Sequence, residues 1–224
     1  MILAPPLRIY LAGRVCVETP QVVIEQRAFP GRQGRLVFAY LVCERGRPVA
    51  RSELVDMLWQ DEPASACAAA ISAIVSKLRG LLGSAGLSGN EILIGMGGGY
   101  ELRLPTDTWV DLEAASDAIH EAEAALRLGD PARAYGPSAV AHHIARRPLF
   151  AGEQGGGHWA DGRRAKHRAT LIRALECRAA LYLWNGELPL ALVGSELGVD
   201  PSPATRAIYE DILASLSVDS PRPV

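Results

Sequence analysis

Residues 30–104 decide the fold, through four consecutive blocks: PGRQGRLVFAYLVCERG (30–46), RPVARSELVDMLW (47–59), SACAAAISAIVSKLRGLLG (65–83) and ILIGMGGGYELRL (92–104). The first three blocks have the apolar spacing of helices, and the fourth has two short apolar runs separated by glycines. Two short helices, a long third helix and a Gly-rich hairpin form the order of a winged helix-turn-helix, which lays one helix in a DNA groove.

The elements around these blocks follow from short apolar runs and from turn residues. Three short strands are predicted before the first helix, and the hairpin is centred on Gly97-Gly98-Gly99. The predicted strands are Leu7–Ala12, Val15–Glu18 and Gln21–Gln26; the predicted helices are Arg32–Arg45, Ser52–Trp59 and one that starts at Pro63; the hairpin strands are Ile92–Ile94 and Tyr100–Leu104.

Pro105-Thr106-Asp107 is the predicted domain boundary, and only helices are predicted after it. Asp111 is placed to cap the first of them, and 146–157 is expected to be a mobile loop because it is rich in Gly and Pro. The predicted helices are 111–128, 131–145, 159–184, 187–197 and 203–216. Ala-rich helix pairs favour a tetratricopeptide-like stack. The expected fold is mainly α with small β elements: a winged helix-turn-helix domain (1–105) followed by an α-helical tetratricopeptide-like domain (106–224).

Composition describes a globular protein without a metal or catalytic signature. Hydrophobic residues make up 49% and charged residues 21%, and the net charge is −2. Residues 1–105 hold 11 Lys/Arg against 9 Asp/Glu, which is weak support for a DNA-binding half. The four cysteines form no CxxC pair, and His142-His143 has no carboxylate at helical spacing. No Ser-His-Asp, paired-carboxylate or Walker arrangement stands out. We therefore expect no enzyme activity, no metal and no cofactor.

The sequence shows no signal peptide and no apolar run that approaches the ~18 residues of a membrane span. A cytoplasmic protein without membrane contact is therefore expected.

The third helix has one apolar face and one face of small residues. The apolar face carries Ile71, Ile74, Val75, Leu78 and Leu82; the opposite face carries Ser65, Ala69, Ser72, Ala73, Ser76, Lys77 and Gly80. Direct readout prefers Arg, Asn or Gln, so that only the serines and Lys77 can donate here, with Arg79 at the flank. Two interpretations stay open: a face that reads DNA, or a face that is small because another helix packs on it.

Basic residues flank this helix in the sequence. Five of them could form a phosphate-contacting rim, or each could be solvated: Arg32, Arg35, Arg51, Lys77 and Arg79. Gly98, Gly99 and Tyr100 belong to the predicted hairpin tip, which would lie near the minor groove. His158 and Trp159 beside the Gly-rich loop indicate either a ligand pocket or a Trp that anchors the loop. The basic run 163–168 is interpreted as a solvated helix face, with contact to DNA or to an acidic partner as the alternative.

Six blocks in this order resemble the Streptomyces antibiotic regulatory protein family. LRIYLAGRV, RPVARSELVDMLW, VSKLRGLLG and GGGYELRLP are similar to its winged helix domain, which is of the OmpR type. WVDLEAASDAIHEAEAALRLGDPARAY and ELGVDPSPATRAIYEDIL are similar to its helical bacterial transcriptional activator domain, which looks shortened here. The resemblance covers roughly residues 7–216.

The resemblance implies a transcription regulator that binds promoter repeats in double-stranded DNA as a dimer and contacts RNA polymerase. By position, 65–82 would be the recognition helix, 97–100 the wing, and Gln60, Asp61 and Glu62 would lie in the loop that faces the polymerase. Ala68, Ala69, Ser72 and Ile74 stand where relatives often carry Arg, Asn or His. The alternative is therefore a degenerate family member that acts through protein–protein contacts without specific DNA binding.

The shortened second domain also leaves apolar residues of helix 187–197 in need of cover. Self-association of 186–216, or its folding back on helix 161–184, would provide it.

Overall fold

The computed structural model describes residues 7–59, 64–153 and 155–185, together with the helical positions Ala207 and Glu210. The chain divides into two compact units. The first comprises Met1–Leu112 and Arg147–Lys166, and the second comprises Glu113–Arg146 and His167–Val224. The first unit is therefore discontinuous in sequence, because residues 147–166 pack with the winged helix residues. The assignment of 1–105 and 106–224 as functional domains stays a prediction.

The first unit opens with a four-stranded sheet of short strands. Its strands are β1 (Arg8–Tyr10), β2 (Cys16–Glu18), β3 (Val23–Ile24) and β7 (Trp109–Val110), in the order β3-β2-β1-β7. The β1–β2 and β2–β3 pairs are antiparallel, and β7 runs parallel to β1. One face of the sheet is buried, through Ile9, Val17, Ile24 and Val110.

Strand β7 corrects the prediction that only helices follow Pro105. The strand is two residues long, and its backbone pairs with β1, which lies about a hundred residues earlier in the chain. The amide of Trp109 donates to the carbonyl of Leu7 at 2.9 Å, and the Trp109 ring lies 5.3 Å from that of Tyr10. No local periodicity marks so short a strand, since its hydrogen bonds come from a distant partner.

Between β3 and β7, the first unit forms the predicted winged helix-turn-helix. After a 3₁₀ turn at Gln26–Ala28, the elements are α1 (Gly31–Cys43), β4 (Val49–Ala50), α2 (Arg51–Trp59), α3 (Ala64–Ser84), α4 (Gly89–Ile92), β5 (Leu93–Met96) and β6 (Gly99–Leu102). The hairpin strands β5 and β6 join β4 in a sheet of order β4-β6-β5. The core of the winged helix-turn-helix includes the fully buried side chains of Phe38, Leu54, Ile71 and Leu78.

Helix α3 corrects the expectation that no apolar run in the chain approaches the length of a membrane span. Among the described residues, Cys67–Ser84 is the one helical segment that is long and apolar enough to cross a membrane, with a mean hydropathy of 1.3. This is weak support for a span, because the core helix of a globular fold passes the same test. The apolar side chains of Ile71, Val75, Leu78 and Leu82 are buried in the first unit, although only 33% of the window is buried, and exposed alanines add to its hydropathy.

The Gly-rich loop after residue 146 is packed at several of its described residues, while its predicted mobility stays a prediction. Gly13 donates to the carbonyl of Pro148 at 2.8 Å, and Phe150 donates to the carbonyl of Leu11 at 3.1 Å. Leu149 and Phe150 are buried in the core of the first unit. Burial of two large apolar side chains holds a segment whose glycines would otherwise favour disorder.

The second unit is helical throughout its described residues. It comprises α5 (Asp111–Arg127) from residue 113, α6 (Pro131–Ala145) and α7 (Gly157–Trp184) from residue 167. Small residues meet in its core, as predicted, at Ala122, Ala141 and Ala174. Arg173 and Glu123 form a bidentate pair with N–O distances of 2.6 and 2.7 Å. The predicted helices 187–197 and 203–216, and the proposed cover of their apolar residues, lie outside the described residues except for Ala207 and Glu210.

Candidate nucleic-acid interface

Helix α3 separates a buried face from an exposed one, as its sequence predicts. Ile71, Ile74, Val75, Leu78 and Leu82 are at most 8% exposed. The opposite face, consisting of Ala69, Ser72, Ala73, Ser76, Lys77 and Gly80, is exposed. We call these six residues the α3 outer face. The interpretation of this face as covered by another helix does not apply to these residues.

The β5–β6 hairpin lies beside this helix and has tight backbone packing at its base. Gly98 adopts a φ of 94°, which suits a hairpin turn and favours glycine. A Cβ on Gly99 would lie 2.2 Å from the carbonyl oxygen of Val49, so that only glycine allows β6 to approach β4. The hairpin tip therefore depends on two glycines for different reasons, while Gly97 and Gly98 are exposed.

Tyr100 connects the hairpin to helices α2 and α3. Its ring is buried, and its hydroxyl lies 3.3 Å from that of Ser72. The Arg51 guanidinium lies over the Tyr100 ring, 5.4 Å from its centroid, and the Arg51 amide donates to the carbonyl of Gly98 at 3.0 Å. The sequence predicts Tyr100 as a wing residue that contacts DNA, and that role stays a prediction. The structure shows the residue buried between Arg51 and Ser72.

The predicted basic rim divides by its contacts. Lys77 and Arg51 are exposed, and Lys77 belongs to the α3 outer face. Arg79 donates through Nε to the carbonyl of Leu93 at 2.8 Å and so ties α3 to β5. Arg35 forms an ion pair with the carboxylate of Glu153, whose side chain is 1% exposed. These two guanidinium groups have internal partners and are already used in packing.

Arg32 and Arg35, the first two predicted rim residues, both lie against the segment around Glu153. The Glu153 carboxylate accepts from Arg35 and from the side-chain amide of Gln26 at 3.2 Å. Arg32 is exposed, and its guanidinium lies against the backbone of Gly155. Sequence reasoning missed Glu153; the apolar pair Leu149-Phe150 four and three residues earlier was the available signal that this loop is packed.

Several predicted site residues are not described. The side chain of Ser65 and the proposed polymerase-facing residues Gln60, Asp61 and Glu62 lie outside the described part of the chain. Within that part, no group of three or more His, Cys, Asp or Glu residues is arranged to hold a metal ion.

Trp159 anchors the Gly-rich segment on α1, and a groove lies next to it. Its ring stacks on Phe150 at 5.5 Å and meets Tyr40 at 4.7 Å, and its indole N–H donates to Glu44 at 3.3 Å. Arg163 bonds the same carboxylate at 2.6 Å. Burial acts to raise the pKa of Glu44, but bonds from Arg163, Arg47 and Trp159 outweigh it and lower that pKa.

The fold and the exposed α3 outer face define a winged helix-turn-helix unit accompanied by a helical unit. No family model matches the chain. The transcriptional regulatory protein EmbR of Mycobacterium tuberculosis is 42% identical over 74 residues, which are 33% of this chain and 19% of EmbR. The regulatory protein AfsR of Streptomyces coelicolor is 35% identical over 98 residues, which are 44% of this chain and 9% of AfsR. These relatives confirm the resemblance to the Streptomyces antibiotic regulatory protein family over the residues that they match.

A solved structure supports the same fold over most of the chain. The structure of Mycobacterium tuberculosis EmbR in complex with a low affinity phosphopeptide matches with a TM-score of 0.68 at 22% identity. The match covers 94% of this chain and 65% of that chain. The sequence matches span a fifth or less of the length of the curated relatives, so that the similarity concerns only that part of each relative.

Proposed function

We propose that the chain is a cytoplasmic transcription regulator that binds double-stranded DNA through the α3 outer face and the hairpin tip. The observation that carries this proposal is the exposed face of small and donor residues on α3, which contacts Tyr100 of the hairpin through Ser72, with Arg51 over the Tyr100 ring. Ser76 would meet a base edge, since a hydroxyl can donate and accept. The Ser72 hydroxyl donates to the Ala68 carbonyl at 3.0 Å, so it would meet a base edge as an acceptor or by exchanging that bond. Lys77 and Arg51 would contact phosphates. Arg35 and Arg79 are left out of this surface because their guanidinium groups have internal partners.

The names of the relatives support the assignment to regulation. EmbR and AfsR are both named as regulatory proteins. By the family resemblance, we also propose dimeric binding to repeats and contact with RNA polymerase through 60–62.

The salt dependence of duplex binding tests the DNA proposal. We expect the logarithm of the affinity to fall linearly with the logarithm of the salt concentration, because phosphate contacts release counterions. Lys77→Ala should reduce that slope by about 1 and leave the order of preferred sequences unchanged, as for a phosphate contact. Fluorescence anisotropy with a set of duplexes measures both. Arg133→Ala on α6, whose side chain is 62% exposed, is the matched control and should change neither.

The α3 outer face also favours the second candidate, a regulator that acts through protein contacts alone. It carries no Arg, Asn or Gln, the side chains that form bidentate bonds with bases. Absence of duplex binding even at low salt would support this alternative. A change of sequence preference in Lys77→Ala would instead contradict the role of Lys77 as a phosphate contact.

A further inference from the structure

A groove of about 550 Å³ lies in the first unit and shares no residue with the α3 outer face. It is lined by Tyr40 of α1, by Glu53, Asp56 and Met57 of α2, and by 156–159 at the start of α7. Its size falls within the range of ligand sites in proteins, about 300–1,000 Å³. We call it the α1–α2 groove. It contains His158 and Trp159, for which the sequence left a ligand pocket as one interpretation, and the proposed DNA surface does not use it.

The groove has an apolar side and an acidic side. Tyr40 and Trp159, whose ring centroids are 4.7 Å apart, form the apolar side together with the Met57 thioether. Glu53 and Asp56 supply two carboxylates one turn of α2 apart from each other. An amphipathic cation fits this division, because its stem can lie on the apolar side while its charged head meets a carboxylate.

The two carboxylates differ in what they already bind. Glu53 accepts from Arg47 at 2.8 Å, from the Tyr40 hydroxyl at 3.2 Å and from the Ala50 amide at 2.8 Å. The bonds from Arg47 lower the pKa of Glu53 and keep it ionised. Asp56 is exposed and has neither an ion pair nor a hydrogen bond among the described residues. Asp56 is therefore the acid that is available to a ligand.

The charges around the groove favour a cation over an anion. Besides Tyr40, the titratable acids and bases that line it are Glu53, Asp56 and His158. Two arginines near these residues are already paired: Arg47 with Glu53 at 2.8 Å, and Arg163, which lies over the Trp159 ring, with Glu44 at 2.6 Å. Of the two lining carboxylates, that of Asp56 is therefore the uncompensated one. An anion would meet this uncompensated carboxylate, whereas a cation would neutralise it.

We propose that the α1–α2 groove binds an arginine side chain of a partner protein, held by Asp56 and by the apolar side of Tyr40, Met57 and Trp159. Arginine fits better than lysine because its planar guanidinium bonds a carboxylate through two N–H groups and packs on aromatic rings. The interaction goes beyond DNA binding and does not require it, since none of its residues belongs to the α3 outer face.

Titration of the full chain with a blocked peptide, Ac-Gly-Ala-Arg-Ala-Gly-NH2, tests the proposal. The readout is the indole N–H signal of Trp159 in a ¹H–¹⁵N spectrum, assigned with Trp159→Phe. We expect saturable shifts with the arginine peptide, weaker binding of the lysine peptide and none of the citrulline peptide, which has the same shape without the charge. Asp56→Asn should weaken arginine binding by about fivefold, the upper value for an exposed ion pair. Asp107→Asn, an exposed acid of the same unit, should leave it unchanged.

Three results would overturn the proposal. They are equal binding of the arginine and citrulline peptides, unchanged binding in Asp56→Lys, and shifts of Trp159 that follow protein concentration without peptide, which would make a second copy the occupant. Binding of free arginine amide as tight as that of the peptide would identify a small-molecule site instead. Duplex binding of Asp56→Asn is measured in parallel and should equal that of the unchanged chain, so that failure here and failure of the DNA proposal are distinguishable.

Discussion

Asp111 belongs to the first unit, with 2% of its surface exposed, and bonds the chain that follows β1. One carboxylate oxygen accepts from the backbone amides of Leu11 and Ala12, both at 2.8 Å. Burial raises the pKa of Asp111 from 3.8 to about 6, although these amides and the charge of Arg147 act to lower it. The sequence predicts Asp111 at a helix start, but it could not reveal the bonds to the amides of Leu11 and Ala12, about a hundred residues earlier.

The raised pKa of Asp111 predicts a pH dependence of stability. The folded state holds this proton more tightly than the unfolded state, so the contribution is complete below pH ~4 and is lost as the pH rises to ~6. Urea unfolding measures the free energy of unfolding of the unchanged chain and of Asp111→Asn at each pH. The difference between the two should fall by roughly 2 kcal/mol over this window. The comparison with Asn cancels the titration of other carboxylates. A relative stability that rises with pH would contradict the assignment.

The Arg35–Glu153 pair predicts that Arg35, which the sequence suggests as a phosphate contact, contributes to the stability of the fold. Arg35→Ala leaves the Glu153 carboxylate, 1% exposed, without its charged partner. Loss of one member of a buried pair costs about 3 kcal/mol or more, and we expect the lower end because Arg35 is 18% exposed. Arg27→Ala, at an 87% exposed side chain paired with Glu25, is the control and should cost little. Chemical denaturation measures both, and equal losses would show that the pair adds no stability.

At the scale of elements, the winged hairpin depends on Gly99 and tolerates change at Gly97. A Cβ at Gly99 would meet the Val49 carbonyl at 2.2 Å, whereas a Cβ at Gly97 meets nothing within 4 Å. Gly99→Ala should therefore destabilise the chain by about 1–3 kcal/mol and displace β6 from β4. Gly97→Ala should leave stability unchanged. Thermal unfolding tests the pair; tolerance of Gly99→Ala would mean that β4 and β6 are less tightly paired.

The elements that the sequence predicted well are those with local signals. Helix α6 has the predicted bounds, because Asp130 accepts from the Arg133 amide at 3.0 Å and Pro131 fits the first helical turn. Its buried residues recur every three or four positions, at Ala134, Ser138, Ala141 and Ala145. Strand β7 lacked any such signal, since it is two residues long and needs β1 as a partner. The α3 outer face was predictable from periodicity, whereas the partners of Arg35 and Arg79 were not.

At the scale of the molecule, the division into compact units does not follow the order of the chain. Helix α7 contributes its start to the first unit and its residues from His167 onward to the second. A composition shift at Pro105 indicated one boundary, but it carried no information about where residues 147–166 would pack. That placement depends on contacts such as the isolated bridge between Ala12 and Leu149, which join segments far apart in sequence.

Phe150 provides the test of this division, because it comes from the later segment and is buried in the first unit at 1% exposure. Its amide donates to the Leu11 carbonyl at 3.1 Å, and its ring stacks on Trp159. In the full chain, Phe150→Ala should lower the free energy of unfolding by about 3–5 kcal/mol, since it removes a buried ring and leaves a cavity. Leu128→Ala, at a 78% exposed side chain, is the control and should cost almost nothing. Hydrogen exchange then locates the effect: the amides of β1 and β2 should lose protection in Phe150→Ala, while those of α6 should keep theirs. Loss confined to 113–146 would show that the segment stabilises the second unit instead.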